Sequence, residues 1–416
     1  MRRAALYDYV VVGGGVAAVT AAEEIRTRDP HASILVLSEE QEPLYSRVLL
    51  PHYVRGRIDR KQVFLRTFEQ FAPKRIEVWS GEHAIACNLE TREITTSLDK
   101  LIKYEKLLIA TGGTPRPWAG VDQSAAENVY RLQTLADADR LHDRLHISKA
   151  KKEKPVVVGG GFIALEFVES AVHAGLEPEL LLSEEKFFGS MLDDAGWELV
   201  QKNFAAHHVN IHAESDVARV MGAEQGVSVT TRKGETYSGD WVGVGIGIER
   251  NLAPFKGIGL DIERGIRVNQ YLQSSIPTVW AAGDIAEYVD VVFDKYRIVG
   301  NWTNAVMQGK VAGANMAGAQ MEFRAVSTYS ITSLGWHLTF VGETALTEGM
   351  DDLIRIWPEH NGYERLFFAG DVLKGAILIN QFKHKTAFSA LIGSGRHLGA
   401  VKDQLKDPTI DVAALL

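Results

Sequence analysis

The sequence predicts an α/β protein built on two copies of a strand–helix–strand unit and completed by an α+β region at its C-terminal end. Three observations carry this prediction. Val10-Val11-Val12-Gly13-Gly14-Gly15 returns as Val156-Val157-Val158-Gly159-Gly160-Gly161. Each copy runs on into a helical pattern and a second apolar strand. After about residue 325 the pattern changes to alternating strands. At 416 residues the chain suits two to four domains rather than one core, and it can bury a large ligand.

In the first copy a β-branched strand enters the glycines, a helical pattern follows from Val16 to Arg26, and a second strand from Ser33 to Leu37. In the second copy the helix runs from Phe162 to Ala174 and the strand from Glu179 to Leu182. Strand, helix and strand in that order imply parallel pairing with a right-handed crossover. The charge run Lys149-Ala150-Lys151-Lys152-Glu153-Lys154 between the copies reads as a solvated connector, with Pro155 punctuating entry to the next strand. In the C-terminal region Leu366–Ala369 and Ala376–Ile379 read as strands and Thr386–Ile392 as a helix. Ala369-Gly370-Asp371 reads as a hairpin between strands.

The repeated glycines have a chemical reason. A dinucleotide pyrophosphate sits against the first turn of a helix, where free N–H groups and the macrodipole favour negative charge. In Gly13-x-Gly15-x-x-Ala18 the first glycine permits the tight turn, the second admits the pyrophosphate, and small Ala18 lets the helix pack closely on the sheet. Gly159-x-Gly161-x-x-Ala164 repeats the spacing. One such turn is a weak signal, because glycine turns after strands have purely structural uses. Two copies in full strand and helix context imply two Rossmann-like dinucleotide sites. The acidic residue expected for the ribose is Glu39, after Ser38, in the first unit; Glu184 is its counterpart in the second. No arginine stands beside Glu184 to favour a 2′-phosphate, which leans towards NADH over NADPH.

Other classes are disfavoured. A formal charge of −8 lacks the basic surface that nucleic acid or an anionic membrane requires. The single cysteine, Cys87, excludes an intramolecular disulfide and a CxxC or Cys/His zinc framework, and fits a reducing compartment. His207, His208 and His212 lack convergent partners, so no metal is expected. No stretch approaches the ~20 uninterrupted apolar residues of a membrane span, and no signal peptide is evident, so a cytoplasmic location is expected.

Leu107-Leu108-Ile109-Ala110-Thr111-Gly112-Gly113 is an apolar strand with a small-residue turn, and Val279-Trp280-Ala281-Ala282-Gly283-Asp284 is a strand ending in Gly-Asp. With the two glycine turns they resemble the two-dinucleotide flavoproteins of the pyridine nucleotide-disulfide oxidoreductase superfamily, over residues 7–320. Tyr45-Ser46-Arg47-Val48-Leu49-Leu50-Pro51 and Gly375–Ile379 are more narrowly similar to the rubredoxin reductase and nitrite reductase flavin modules. The resemblance implies FAD and NAD(P)H as cofactors. It implies an FAD-binding domain of residues 1–117 and 246–325, an NAD(P)H-binding domain of 118–245 inserted in it, and a C-terminal interface domain of 326–416. The cofactor-binding set it implies is Gly13, Gly15, Val16, Ala17, Ala18, Ser38, Glu39, Arg47, Ala110, Thr111, Gly112, Gly283, Asp284, Trp302, Asn304 and Ala305, then Gly159, Gly161, Phe162, Ile163 and Glu184, together with Gly247. Asp284 would accept hydrogen bonds from FAD hydroxyls, a role with which a helix N-cap is compatible. Arg47 would lie near the FAD adenine or pyrophosphate, and Glu166 near the nicotinamide and the flavin N5. Trp302 would open a helix whose N-terminus faces the flavin.

Departures from the family narrow the function. Its disulfide reductases keep an early Cys-x4-Cys pair, and its single-cysteine branch carries sulfur close to Tyr45-Ser46-Arg47; neither is present. Cys87 lies in an alternating strand pattern and reads as a buried small residue. Where related ferredoxin and rubredoxin reductases often carry a lysine, this chain has His52, which joins Glu166 as a catalytic candidate although it could be neutral, charged or structural. The resulting expectation is an FAD-dependent NAD(P)H oxidoreductase without a thiol relay, passing electrons to a small redox protein such as rubredoxin or ferredoxin, and forming a homodimer. The alternatives are a flavin-bearing subunit or NADH-sensing protein of the apoptosis-inducing-factor type, and an NADH oxidase or nitrite-linked reductase module.

Overall fold

The computed structural model describes residues 5–399 and 401–415. Contacts divide the chain into two compact units: Met1–Ser46, Arg60–Thr114 and Glu249–Ser327 form the first, and Arg47–Asp59, Pro115–Ile248 and Thr328–Leu416 the second.

The first unit is built on a sheet in which the strand Ala5–Val12 lies between Ile34–Ser38 and Leu101–Ile109, parallel to both. Ile76–Ser80 extends the sheet beyond Ile34–Ser38. Leu101–Ile109 is long enough to serve two partners on its outer edge. Glu93–Thr96 runs antiparallel along its start, and Val279–Ala281 runs parallel along its end. Val10, Val11, Leu107, Leu108 and Ile109 are completely buried, as continuous apolar runs are when a parallel sheet is covered on both faces. The helix Val16–Arg28 leaves the first glycine turn and packs against Trp302–Met316. Gly309 and Gly313 make the close approach possible, since a Cβ on either would collide with the carbonyl of Ala17 or Ala21.

The second unit repeats the plan. Its sheet runs Asn210–His212, Glu179–Leu181, Pro155–Val158, Trp241–Val244, Val129–Tyr130, all parallel. The helix Phe162–His173 follows the second glycine turn. The charge run expected as a connector is instead the end of a helix, Leu135–Lys151, with Lys152 in the left-handed conformation as its C-cap. Thr134 and Asp137 form a capping box, and Leu135, Ala138, Leu141 and Leu145 are its buried stripe. The C-terminal region is a five-stranded antiparallel sheet ordered Thr328–Ser333, Trp336–Gly342, Val372–Ile379, Gly362–Ala369, Met350–Trp357, against which Lys385–Ser394 packs. Ala369-Gly370-Asp371 is the hairpin the sequence predicts. This sheet is tied to the rest of the second unit by Tyr363, whose hydroxyl donates to Asp193 Oδ1 at 2.8 Å, and by Arg365 Nη1, which donates to the carbonyls of Ser190 and Met191.

Candidate functional site

The two glycine turns have the same geometry. Gly13 has φ of 126° and Gly159 of 127°, a conformation that side chains rarely adopt. A Cβ at Gly13 would strike the carbonyl of Ala110, and one at Gly159 the carbonyl of Gly245. Gly15 and Gly161 are different. Both are extended N-cap residues, and a Cβ at either would meet no protein atom within 4 Å. Protein sterics therefore demand the first glycine of each turn, while the second leaves room beside a helix N-terminus. Neither helix has a side-chain cap or an acidic residue in its first turn, so the N–H groups and dipole of Val16–Arg28 and Phe162–His173 are available to an anion.

Around the first turn, Ser38 is buried against Gly14 and donates from Oγ to the Glu40 carbonyl at 3.1 Å. Glu39 is exposed directly after the strand Ile34–Ser38. Thr111 Oγ1 and Gln308 Nε2 are buried polar atoms with no hydrogen-bond partner among the described residues. Gln308 Oε1 accepts from the Gly283 N–H at 2.7 Å. Asp284 lies against Gly300, and a strand, Ala286–Asp290, follows it in the chain. Trp302 does open a helix; Asn301 caps it by accepting from the Asn304 N–H at 2.8 Å, and Asn304 and Ala305 are buried. Gly112, after Thr111, has positive φ. Cys87 is buried at 3.8 Å from the Tyr104 hydroxyl, and burial pushes its thiol up, which is the reverse of a nucleophile's activation.

In the second unit Phe162 stands first in its helix and touches Phe188, Tyr329 and Phe340, at 4.6 to 5.0 Å between ring centroids. Ile163 is exposed beside it. Glu184 is exposed beyond the strand Glu179–Leu181, with its carboxylate against Gly189. The Gly247 carbonyl accepts from the Arg116 N–H at 3.0 Å. Arg47 groups with this unit and donates to the Gln133 carbonyl.

Glu166, one turn into the same helix, is held in a charged cluster that the sequence did not reveal. Arg55 Nη1 donates to Glu166 Oε2 at 2.6 Å. Arg57 Nη2 donates to Glu169 Oε1 at 3.2 Å. Burial pushes the Glu166 carboxyl up from its ordinary value, and Arg55 works against that push. His52, on the short helix Leu50–Val54, is pushed down by burial and then by Arg55 and Arg57, which favours the neutral imidazole over the charge a lysine would carry. The visible signal was a pair of patterns, Glu-x-x-Glu on one helix face and Arg-x-Arg after Pro51-His52-Tyr53-Val54. Among the described residues no cluster of His, Cys, Asp and Glu could hold a metal ion, and no helix is long and apolar enough to cross a membrane.

The pyridine nucleotide-disulphide oxidoreductase family model matches residues 7–309. The chain belongs to that family. Over 406 residues it is 24% identical to the assimilatory nitrate reductase electron transfer subunit of Bacillus subtilis, covering 96% of this chain and 51% of the relative. It is 26% identical over 421 residues to the ferredoxin–NAD(+) reductase component of the anthranilate 1,2-dioxygenase system of Burkholderia cepacia, covering 98% of this chain and 99% of the relative. The putidaredoxin reductase chain of a covalent complex with putidaredoxin has the same fold, with a TM-score of 0.89 at 23% identity, over 98% of this chain and 97% of that one. The chain spans about half the length of some relatives: 51% of the nitrate reductase subunit and 45% of the Bacillus subtilis nitrite reductase.

With the family come FAD and NAD(P)H as cofactors and oxidoreduction as the reaction class. The residues fit both dinucleotides: two helix N-termini beside glycines with open space, and in the first unit two buried polar atoms, Thr111 Oγ1 and Gln308 Nε2, lacking partners among the described residues.

Proposed function

We propose that this chain passes electrons from NADH through FAD to a small one-electron redox protein, with no cysteine relay. The carrying observation is the pair of equivalent cradles at Gly13–Ala18 and Gly159–Ala164, one in each unit. When bound, FAD supplies the chemistry of taking an electron pair from a nicotinamide and releasing electrons singly. The first cradle, in a domain of residues 1–117 and 246–325, takes FAD: the helix Val16–Arg28 offers N–H groups to the pyrophosphate, Glu39 and Asp284 accept from hydroxyls, and the N-terminus of Trp302–Met316 favours negative charge at the flavin's pyrimidine end. The second, in residues 118–245, takes NADH, with Glu184 at the ribose and Glu166 near the nicotinamide. Cys87, buried and unactivated, supports the absence of a thiol step. The relative named as a ferredoxin reductase component, matched along nearly its whole length, supports an iron–sulfur protein as acceptor. Rapid mixing of the holoprotein with NADH should bleach the flavin band, and a spectrum unchanged by both NADH and NADPH would remove the proposal.

A second reading, a flavin-bearing subunit of a larger enzyme, is favoured by the relatives named as an electron transfer subunit and as the epsilon subunit of a phenylglyoxylate dehydrogenase. Turnover of the isolated chain with ferredoxin or rubredoxin separates the two. A homodimer through residues 326–416 and a cytoplasmic location belong to the same proposal; size-exclusion chromatography with and without NADH tests the first.

A further inference from the structure

Glu166 and Glu169 lie three residues apart on the helix Phe162–His173, with side chains only 14% and 6% exposed. Like charges at that spacing repel, and burial makes each dearer. Neutralisation comes from the residues following the helix Leu50–Val54. Arg55 Nη1, on a side chain 2% exposed, lies 2.6 Å from Glu166 Oε2 and 3.5 Å from Glu169 Oε2. Arg57, 42% exposed, reaches Glu169 Oε1 from the surface at 3.2 Å. Charges thus alternate along Glu166, Arg55, Glu169 and Arg57. Arg57 also serves Glu169, and the buried Arg55 guanidinium lies closer to Glu166 than to Glu169.

Three further titratable groups face this cluster, and each is shifted towards its neutral form. His52 is pushed down by burial, then by Arg55 and Arg57. His173 is pushed down by burial, then by Arg57 and Arg55. The Tyr329 hydroxyl is pushed up to about 12 by burial and then by Glu166. Against the upward push of burial on Glu166, Arg55 is the strongest opposing charge; Glu169, which adds to the push, and Arg57, which opposes it, act behind it.

We infer that Arg55 is a positioning residue for the nicotinamide step, fixing the orientation and ionisation of the Glu166 carboxylate. The inference rests on the proposed placement of Glu166 beside the nicotinamide. A guanidinium suits this task, because it stays charged at every accessible pH, and here it reaches the Glu166 carboxylate through Nη1.

The test follows flavin reduction by NADH in the holoprotein across the neutral pH range, in wild type and in Arg55→Gln, Arg55→Lys, Glu166→Gln and the Arg55→Gln/Glu166→Gln double variant. In Arg55→Gln the limiting rate should fall about tenfold at neutral pH and recover as pH rises, since an unpaired buried carboxyl keeps its proton to higher pH. The NADH concentration for half-maximal rate should change little. Arg55→Lys should restore the wild-type pH profile, and the double variant should be no slower than Glu166→Gln. An unshifted profile in Arg55→Gln, or a double variant slower than Glu166→Gln by the full Arg55→Gln factor, overturns the inference. A second measurement needs no nicotinamide: infrared difference spectra against Glu166→Gln report the protonation of that carboxyl. It should be ionised at neutral pH in wild type and Arg55→Lys, and a protonated Glu166 in wild type overturns the inference even where Arg55→Gln does not fold. A flavin that neither NADH nor NADPH reduces would count against the proposed function, and the infrared titration then judges Arg55 alone.

Discussion

Gly13 and Gly15 stand two residues apart, yet they should fail in different ways. At Gly13 the positive φ and the Ala110 carbonyl both oppose a side chain. Gly13→Ala should cost at least about 2 kcal/mol of stability, measured by denaturant unfolding with and without FAD. At Gly15 an added methyl meets no protein atom. Gly15→Ala should leave the unfolding of the FAD-free protein unchanged while weakening FAD binding about tenfold or more in a titration. Equal stability losses in both variants would show that the second glycine is a structural requirement too. Cys87 gives a third test at this scale. Replacing the buried thiol beside Tyr104 with alanine should cost about 1 kcal/mol from the small cavity and leave flavin reduction by NADH unchanged. A large loss of rate would return sulfur to the chemistry.

Among the elements, the helix Val16–Arg28 joins a cradle to a stabilising ion pair. Glu23 on that helix accepts from Arg66 Nε at 2.9 Å and Lys74 Nζ at 2.6 Å. Burial acts to raise the Glu23 carboxyl, but the two cations outweigh it and hold the group below its ordinary value. A carboxyl depressed in the folded state adds stability that is in place above an unfolded value near about 4.3 and is lost as pH falls through the folded value. With Arg66 and Lys74 more than a third exposed, solvent screening limits the effect. Glu23→Gln should lower stability by about 1 kcal/mol at neutral pH and leave it unchanged in acid, where the wild-type carboxyl is also protonated. This scale also shows what was legible in the sequence. The glycine-turn elements were, because a period change from strand to helix and a small-residue turn mark each boundary locally. The helix Leu135–Lys151 was not, because its lysine-rich end obscured a stripe of Leu135, Ala138, Leu141 and Leu145 that its capping box would have exposed. The partner of Glu166 was not legible either: Arg55 is 111 residues away, and only the packing of two helices brings their charges together.

At the scale of the whole molecule, the proposed function has electrons leave the reduced flavin to an acceptor arriving from solution. Arrival is governed by the field of the entire chain, whose formal charge is −8. Like charges repel and salt screens the repulsion, so an anionic one-electron oxidant such as ferricyanide should oxidise the reduced protein faster as ionic strength rises. Flavin reduction at saturating NADH follows binding and should be nearly insensitive to salt. The two half-reactions can be measured separately by rapid mixing in the same buffers. A rate with ferricyanide that falls on adding salt would place the electron exit in a local basic patch rather than in the average field of the chain. An acidic iron–sulfur protein would then be steered to that patch, and its reduction should slow with salt in parallel with ferricyanide.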